Sequence, residues 1–267
     1  MRWLLKNKSI IGEIKKNNKV RLNLGCGETY LEGWVNIDIP DAEGSHTKIK
    51  VDLAADITTL DYKSETVDEI LLNAVFEHFQ RHEALRNLRK FYLWLKENGK
   101  ITVMVPDFWG TVKKLKKSKG EDEKSFWYRH LFGPQDTKLY GNHLDGFDEG
   151  RLREIFRIVG FTKLTTVSFG SMPFVRVEAI KTRPYLSDEL YRSKVVDYLI
   201  YHEYRGEPSS AFFSWTESLG FNLKEMNFIP PMPHFRTQRE NLIERMKRIA
   251  RNILGERLYT SLKERLK

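Results

Sequence analysis

The sequence predicts an α/β fold in which helices cover a mainly parallel β-sheet. Apolar runs of strand length alternate with segments of helical periodicity, as in βα repeats. The first apolar run, 20–24, leads into a turn that contains Gly25 and Gly27, and the second, 34–37, ends on Asp38. Ligands of doubly wound folds lie at the carboxyl ends of the strands, so this turn and this carboxylate are expected to share a binding edge.

The elements before the central strand are short. Residues 3–16 mix lysines with apolar positions and are expected to form a helix that leads into the first strand. Only six residues separate Gly27 from Trp34, which is too few for the usual helical crossover, so this helix is expected to be missing or reduced to a turn. A short third strand is predicted at 48–52 and a buried central strand at 67–73.

Helical periodicity begins after the central strand. Leucines and aromatic residues predict a helix over 82–96 that ends at Asn98 and Gly99, followed by a strand over 100–105. The segment 108–146 then interrupts the βα rhythm with lysines and aromatic residues. Insertions after the carboxyl end of a strand commonly form a lid or a substrate wall, and this one is expected to do so.

The predicted sheet closes with a hairpin. A helix over 148–159, capped by Gly160, precedes two strands at 162–169 and 174–181. The link between these strands is so short that only a hairpin can join them. The last strand is therefore expected to run antiparallel to its neighbour.

The composition is that of a soluble globular protein with an excess of positive charge. The 267 residues are 40% hydrophobic and carry a net charge of +9, which suggests nucleic acid, an anionic membrane surface or a phosphorylated substrate without choosing among them. Cys26 is the only cysteine, so an intrachain disulfide and a cysteine-based metal site are excluded, and no metal ligands are predicted. A reducing, cytoplasmic setting fits, and no apolar run reaches signal-peptide or membrane-spanning length.

A helical extension, 183–267, is expected to follow a first domain at 1–182. Helices are predicted in it at 188–204 and 209–220. Its tail, 236–267, is amphipathic and contains ten basic and four acidic residues, so most of the excess positive charge is concentrated there. Such a segment packs on its own domain, lies on an anionic membrane or contacts nucleic acid, and the residues leave these three alternatives open.

Several motifs between residues 19 and 181 resemble, in order and spacing, those of class I S-adenosylmethionine-dependent methyltransferases of the type 11 kind. The matching stretches are Leu22–Gly27, Gly33–Asp38, Ala55–Ile70, Phe76–Phe79, Gly99–Asp107 and Gly160–Phe161. The resemblance implies a Rossmann-like sheet of seven strands with the last one antiparallel, and S-adenosylmethionine as the cofactor. A nicotinamide dehydrogenase is disfavoured, because Tyr30 stands where the pattern Gly-x-Gly-x-x-Gly requires its third glycine.

The resemblance also implies which residues contact the cofactor. Gly25 and Gly27 would let the backbone approach the methionine portion, and Asp38 would accept hydrogen bonds from both ribose hydroxyls. Cys26 is expected to be a small buried residue of the motif that is inert toward chemistry. The full implied set is Asn23, Gly25, Cys26, Gly27, Asp38, Asp56, Ile57, Asn73 and Ala74.

The later members of this set belong to the adenine and sulfonium ends of the cofactor. Asp56 would accept from the adenine amino group and Ile57 would supply a backbone amide beside the ring, although a loop cap is the alternative role for Asp56. Asn73 and Ala74 would line the end of the fourth strand near the sulfonium. Asn23 departs from the wider superfamily, in which an acid often precedes the glycine turn.

Three residues are candidates for acting on the methyl acceptor. A hydroxyl acceptor is helped by a general base, and histidine is the natural candidate near neutral pH. His143 lies at the end of the insertion, where the mouth of the site is expected, and Asp145 is placed to orient it or to take its role. His78 is the third candidate. The alternatives are structural: a helix-entry loop capped by Asp148, and a helix start at which His78 interacts with the dipole.

The resemblance therefore implies transfer of a methyl group to an acceptor that is expected to be a hydroxyl of a cell-surface glycan or a related small molecule. Two alternatives stay open: a catalytically silent methyltransferase-like subunit that acts through its basic tail, and an RNA methyltransferase. The expected location is cytoplasmic, with a peripheral position on the inner membrane surface, reached through 236–267, as the alternative.

Overall fold

The computed structural model describes residues 19–39, 49–135, 141–199 and 209–220. The chain divides into two compact units, one of 1–195 with 215–221 and the other of 196–214 with 222–267. The predicted helix at 3–16 and the basic tail at 236–267 lie outside the described residues. Within the described ranges, we find no helix with the length and apolar character needed to cross a bilayer.

The described residues form one sheet of seven strands. The strands are β1 (Arg21–Leu24), β2 (Val35–Asp38), β3 (Leu53–Ala54), β4 (Val67–Asn73), β5 (Leu95–Pro106), β6 (Lys163–Phe169) and β7 (Phe174–Ile180). Their order is β3-β2-β1-β4-β5-β7-β6. The first five strands of this order are parallel, and β7 is antiparallel to both of its neighbours. The predicted seven-stranded sheet with an antiparallel last strand is confirmed.

Helices and two short 3-10 turns connect the strands. The helices are α1 (Arg81–Trp94), α2 (Phe108–Lys117), α3 (Glu121–Phe132), α4 (Glu149–Val159), α5 (Asp188–Tyr198) and α6 (Ser209–Ser218), and the 3-10 turns are Ile57–Thr59 and Phe76–His78. The predicted entry to α4 is confirmed, because the Asp148 side chain accepts a hydrogen bond of 2.8 Å from the Arg151 amide. Residues 28–34, which join β1 and β2, form turns without a helix, as expected.

Two predicted boundaries were wrong. The third strand lies at Leu53–Ala54 instead of 48–52, because it pairs only with Ile37 and Asp38 at the end of β2. The strand after α1 begins at Leu95 instead of residue 100. Asn98 and Gly99 do not end the helix: the Asn98 amide donates to the Lys181 carbonyl and the Gly99 carbonyl accepts from the Lys181 amide, which is strand pairing.

The aromatic core beneath the end of β4 positions the chain segments that matter for function. Phe76 is fully buried and lies 5.8 Å from Phe79 and 5.4 Å from Phe147, measured between ring centroids. Phe147 is held in turn by a bridge to Asp107 at the end of β5 and by its carbonyl, which accepts from the Phe108 amide at 2.8 Å. This packing brings the loop 141–148 against the turn that follows β4.

Candidate functional site

The carboxyl ends of three adjacent strands meet at the edge of the sheet where the sequence predicts a ligand. Leu24 at the end of β1 pairs with Ile37 on one side and with Leu72 on the other. The Ile37 carbonyl accepts hydrogen bonds of 2.8 and 3.1 Å from the amides of Gly25 and Cys26. The glycine turn, the end of β2 and the end of β4 therefore meet at one edge of the sheet.

The two glycines of the turn serve different purposes. Both have a positive φ, +68° at Gly25 and +50° at Gly27. A Cβ at Gly25 would lie 2.5 Å from Cγ2 of Val75, so the close neighbour there is a side chain of the protein itself. A Cβ at Gly27 would have no atom within 4 Å, so open space adjoins this residue. Of these two glycines, only Gly27 borders open space in the direction of a Cβ.

Replacing these glycines with alanine is expected to have unequal effects on stability. Gly25→Ala combines a left-handed backbone with a clash against Val75, which together cost about 2–5 kcal/mol. Gly27→Ala has the same backbone penalty without the clash and should cost only about 1–2 kcal/mol. Urea denaturation of both variants measures the difference, and equal losses of unfolding free energy would contradict this account of the turn.

The Asp38 carboxylate is held at the edge by backbone amides. Its Oδ2 accepts from the Gly27 amide at 2.7 Å and its Oδ1 from the Ile39 amide at 2.7 Å. Each carboxylate oxygen has a further lone pair, so the fixed group can still accept hydrogen bonds from two hydroxyls of a ligand. With the open space at Gly27, this geometry fits the ribose and methionine portions of S-adenosylmethionine.

Asn23 ties the glycine turn to the link that follows it. Its buried Nδ2 donates to the Thr29 carbonyl and to Oδ1 of Asn36, both at 2.9 Å. Asn36 bonds onward to Leu31 and to the Asp52 carboxylate. These contacts need a donor, which explains why an amide stands where an acid is more usual. The geometry gives Asn23 a supporting role and offers nothing in favour of its predicted contact with the cofactor.

Cys26 is buried and chemically quiet. Only 5% of its surface is exposed, and burial, helped by the nearby Asp38 charge, raises the pKa of its thiol from 9.0 to about 11. The thiolate is the reactive form, so its fraction near neutral pH is about 100-fold below that of an ordinary cysteine. The expectation that this residue is inert agrees with these surroundings.

Alkylation of the folded protein with iodoacetamide is therefore expected to be at least about 100-fold slower than alkylation in concentrated urea. Mass spectrometry of the single labelled site follows both reactions. Similar rates in the two conditions would show that the thiol is accessible and ionised in the native fold.

Asp56 acts as the cap of the first 3-10 turn. Its Oδ1 accepts from the amide and from the hydroxyl of Thr58, at 2.8 and 2.7 Å. Capping was the alternative role that the sequence left open for Asp56. Both of these hydrogen bonds go to Oδ1, and neither involves Oδ2. The neighbouring Ile57 is buried. The adenine contacts of both residues stay predictions.

Asn73 and Ala74 are exposed at the end of β4. Ala74 has a φ of +54°, which is rare for a residue with a Cβ, and its amide donates to the Met104 carbonyl at 2.9 Å. Unusual backbone conformations of this kind cluster at functional sites. Both residues are accessible to a ligand bound along the edge.

A cluster of Glu77, His78 and His143 lies directly after this strand end. One ligand-type atom from each side chain lies within 4.8 Å of those from the other two. Oε1 of Glu77 is 4.0 Å from Nε2 of His143, and the centroids of the two imidazole rings are 5.0 Å apart. The Glu77 carbonyl accepts from the amides of Leu144 and Asp145, which keeps the loop of His143 in place. We call these three side chains the acceptor cluster.

Burial dominates the electrostatics of the acceptor cluster. Glu77 is 1% exposed, and burial raises the pKa of its carboxyl group to about 8. Burial, followed by the nearby His78, lowers the pKa of His143 to about 4. The pKa of His78 is also lowered by burial, against the opposing effect of hydrogen bonds to the backbone at Asn142 and Ala74. Both histidines are therefore neutral near pH 7.

Asp145 does not orient His143. Its Oδ1 and Oδ2 accept a bidentate pair of hydrogen bonds from Arg151 at 2.8 and 2.7 Å, and Arg81 approaches Oδ1 at 3.3 Å. The carboxyl group beside His143 is that of Glu77, at 4.0 Å. The geometry thus makes Asp145 part of an ion-pair network that fixes the loop, and the His143 ring is oriented by the Leu131 carbonyl, 3.2 Å from its Nδ1.

Sequence reasoning missed Glu77 as a functional candidate. His78 was a candidate for acting on the acceptor, whereas Glu77 was considered only as part of a helix start. The available signal was the position of an acid next to a histidine directly after a buried strand. The partnership with His143 could not be read from the sequence, because the packing of Phe76 on Phe147 creates it.

Solved structures of several methyltransferases are similar to parts of this chain. An S-adenosylmethionine-dependent methyltransferase from Mesorhizobium loti is 14% identical over 61% of this chain and 90% of its own length, with a TM-score of 0.40. An S-adenosylmethionine-dependent methyltransferase from Methanosarcina mazei is 13% identical over 61% of this chain and 92% of its own length, also with a TM-score of 0.40. The 1,6-didemethyltoxoflavin-N1-methyltransferase of Burkholderia thailandensis is 16% identical over 66% of this chain and 78% of its own, with a TM-score of 0.39. The seven strands and the antiparallel β7 are those that the sequence resemblance to class I methyltransferases implies.

Comparison at the level of sequence is negative. No family model matches this chain, and no curated protein matches it.

Proposed function

We propose that the protein transfers a methyl group from S-adenosylmethionine to a hydroxyl group of a small molecule or a glycan. The observation that carries the proposal is the arrangement of two sets of residues at one end of the sheet. Gly27, Asp38 and Ala74 lie at the carboxyl ends of β1, β2 and β4. Glu77 and His78 of the acceptor cluster lie in the 3-10 turn that follows β4, and the loop after α3 places His143 beside them. One set suits a nucleoside cofactor and the other a polar acceptor.

The cofactor side of the proposal rests on Gly27 and Asp38. Bound S-adenosylmethionine supplies an electrophilic methyl group on a positively charged sulfur. Asp38 holds the ribose hydroxyls, Gly27 leaves room for the backbone to approach the ligand, and Asn73 with Ala74 borders the strand end beside the reacting centre. Much of the rate acceleration in such a transfer comes from holding the two reactants in line.

The acceptor side rests on Glu77, His78 and His143. A hydroxyl is a poor nucleophile until its proton is withdrawn, and neutral imidazole nitrogens accept hydrogen bonds from hydroxyls. The cluster has two ways to act on such an acceptor. One of its histidines takes the hydroxyl proton, or the three side chains together hold a cation that binds the hydroxyl oxygen.

Exposed aromatic side chains on α2 and α3 support an acceptor with rings. These two helices make up most of the segment that was expected to form a lid or substrate wall. The exposed aromatic residues on them are Phe108, Trp109, Phe126, Tyr128 and Phe132. Trp109 is 62% exposed, which is unusual for a side chain of its size. Aromatic faces of this kind stack on sugar and aromatic rings, and we propose that the segment forms the acceptor wall.

A methyl-transfer assay tests the function directly. The purified protein would be incubated with S-adenosylmethionine labelled in its methyl group and with separate panels of sugars, lipid-linked glycans, phenols and RNA. The expected result is label on a hydroxyl compound, with one equivalent of S-adenosylhomocysteine formed per methyl transferred. Binding of S-adenosylmethionine without transfer to any panel would favour the catalytically silent subunit, and label on RNA alone would favour the RNA methyltransferase.

A further inference from the structure

We propose that Glu77, His78 and His143 bind one divalent metal ion of the zinc class. The three side chains offer one carboxylate oxygen and two imidazole nitrogens, all within 4.8 Å of one another. Ligand atoms around a tetrahedral ion with bonds of about 2.0–2.1 Å lie about 3.3 Å apart. The side chains therefore need to close by no more than about 1.5 Å around an ion, which small rotations of the side chains provide.

Hydrogen bonds to backbone carbonyls prepare both histidines as ligands. Nδ1 of His78 lies 2.8 Å from the Asn142 carbonyl oxygen, and Nδ1 of His143 lies 3.2 Å from that of Leu131. A carbonyl oxygen only accepts, so each Nδ1 carries the hydrogen and each Nε2 presents a lone pair. Metal-bound histidines nearly always donate their second ring N–H in this way, which fixes the tautomer and the orientation of the ring.

Glu77 lacks the partner that a buried carboxyl group requires. Neither Oε1 nor Oε2 has a hydrogen-bond partner among the described residues, although the side chain is almost fully buried. Leaving such a group unsatisfied is costly, and buried charges in proteins are paired or coordinate metals. A cation between Glu77 and the two histidines supplies the missing partner.

The ligand set indicates the class of metal and leaves a coordination position open. Imidazole nitrogens with one carboxylate suit zinc, iron or manganese better than magnesium or calcium, which prefer oxygen ligands throughout. Three protein ligands leave at least one position of a tetrahedral ion for water or substrate, as in catalytic zinc sites. If the proposed function holds, the acceptor is a compound that places a hydroxyl oxygen at this position, and that last step rests on the proposed function.

The ligands come from two segments that the fold already holds together. Glu77 and His78 belong to the 3-10 turn after β4, and His143 belongs to the loop anchored by the Leu144 amide on the Glu77 carbonyl at 2.8 Å. Asp145 strengthens the same loop through Arg151. A site built on such fixed segments is organised before the ion arrives, so little ordering has to accompany binding.

Metal content and zinc titration test this proposal on the full chain. The protein would be stripped with a chelator, dialysed against Zn²⁺, and analysed for bound metal by mass spectrometry and for affinity by calorimetric titration with zinc chloride. The expected result is one zinc ion per chain. In Glu77→Gln and His143→Ala, zinc affinity should fall by more than the roughly 10- to 100-fold caused by loss of an outer-shell partner.

Two controls separate the possible failures. His82→Ala removes a histidine from the start of α1, outside the cluster, and should leave the stoichiometry unchanged. Glu77→Gln removes a buried unpaired carboxyl group and should fold, which circular dichroism and titration with S-adenosylhomocysteine check together. Absence of zinc from the wild type, or equal zinc affinity in Glu77→Gln and the wild type, would overturn the metal site. Zinc binding without S-adenosylhomocysteine binding would leave the metal site standing and contradict the proposed function alone.

Discussion

Replacing Asp38 with alanine is expected to weaken binding of S-adenosylhomocysteine by about 100-fold or more. In the proposed complex the carboxylate accepts two ribose hydroxyls, and hydrogen bonds to charged groups contribute about 1.5–3 kcal/mol each. A loss of about 2.7 kcal/mol already corresponds to 100-fold in affinity. The change also removes the acceptor of the Gly27 amide, which loosens the turn that faces the ligand. Calorimetric titration of the variant measures the effect.

Two further variants serve as controls for this measurement. Glu97→Ala removes a carboxylate from the opposite end of the sheet, where it pairs with Arg183 on the surface, and is expected to leave the affinity unchanged. Asp38→Asn retains one acceptor oxygen and should fall between the wild type and Asp38→Ala. Unchanged affinity in Asp38→Ala would remove Asp38 from the cofactor site.

Replacing His143 with alanine is expected to lower the turnover number by about 100- to 1,000-fold while cofactor affinity is retained. The expectation holds whether His143 takes the hydroxyl proton or holds a metal ion, because general-base catalysis alone contributes about 10²–10⁴-fold. The measurement is kcat with the acceptor identified by the methyl-transfer assay. His82→Ala is the matched control, since it also removes one half-buried histidine but lies outside the acceptor cluster.

A second comparison distinguishes loss of chemistry from loss of folding. Affinity for S-adenosylhomocysteine in His143→Ala should match that of the wild type, because the cofactor residues lie on β1, β2 and β4, and His143 lies on the loop after α3. Equal turnover in His143→Ala and the wild type would exclude a catalytic role for His143. A parallel loss of turnover and cofactor binding would indicate damage to the fold instead.

Local sequence signals predicted most of the sheet. Strands appear as apolar runs, and the glycine turn and Asp38 end two of them, so the binding edge follows from the rule that carboxyl ends of parallel strands meet. The hairpin of β6 and β7 follows from a link too short for any other connection. The two wrong strand boundaries lie where pairing with a neighbouring strand, and not the local apolar pattern, determines where a strand runs. The position of β3 is determined by its pairing with the end of β2, and the start of β5 by its pairing with Val67.

The candidate site was less predictable because its main features arise from packing between distant parts of the chain. The different surroundings of Gly25 and Gly27 depend on where Val75 lies, and nothing in the motif itself shows it. Asp145 is held away from His143 because Arg151 binds its carboxylate, and this contact is not visible in the motif. Motif spacing placed His143 near the mouth of the site, but its partners became visible only once the loop 141–148 was seen against the turn after β4.

Calorimetric titration of the wild-type protein with S-adenosylhomocysteine is the decisive measurement for the proposed cofactor site. We expect one binding site per chain with micromolar affinity, for which S-adenosylhomocysteine and S-adenosylmethionine compete. If neither nucleoside bound, the proposed cofactor site would be wrong, and the seven-stranded sheet would serve a purpose other than methyl transfer.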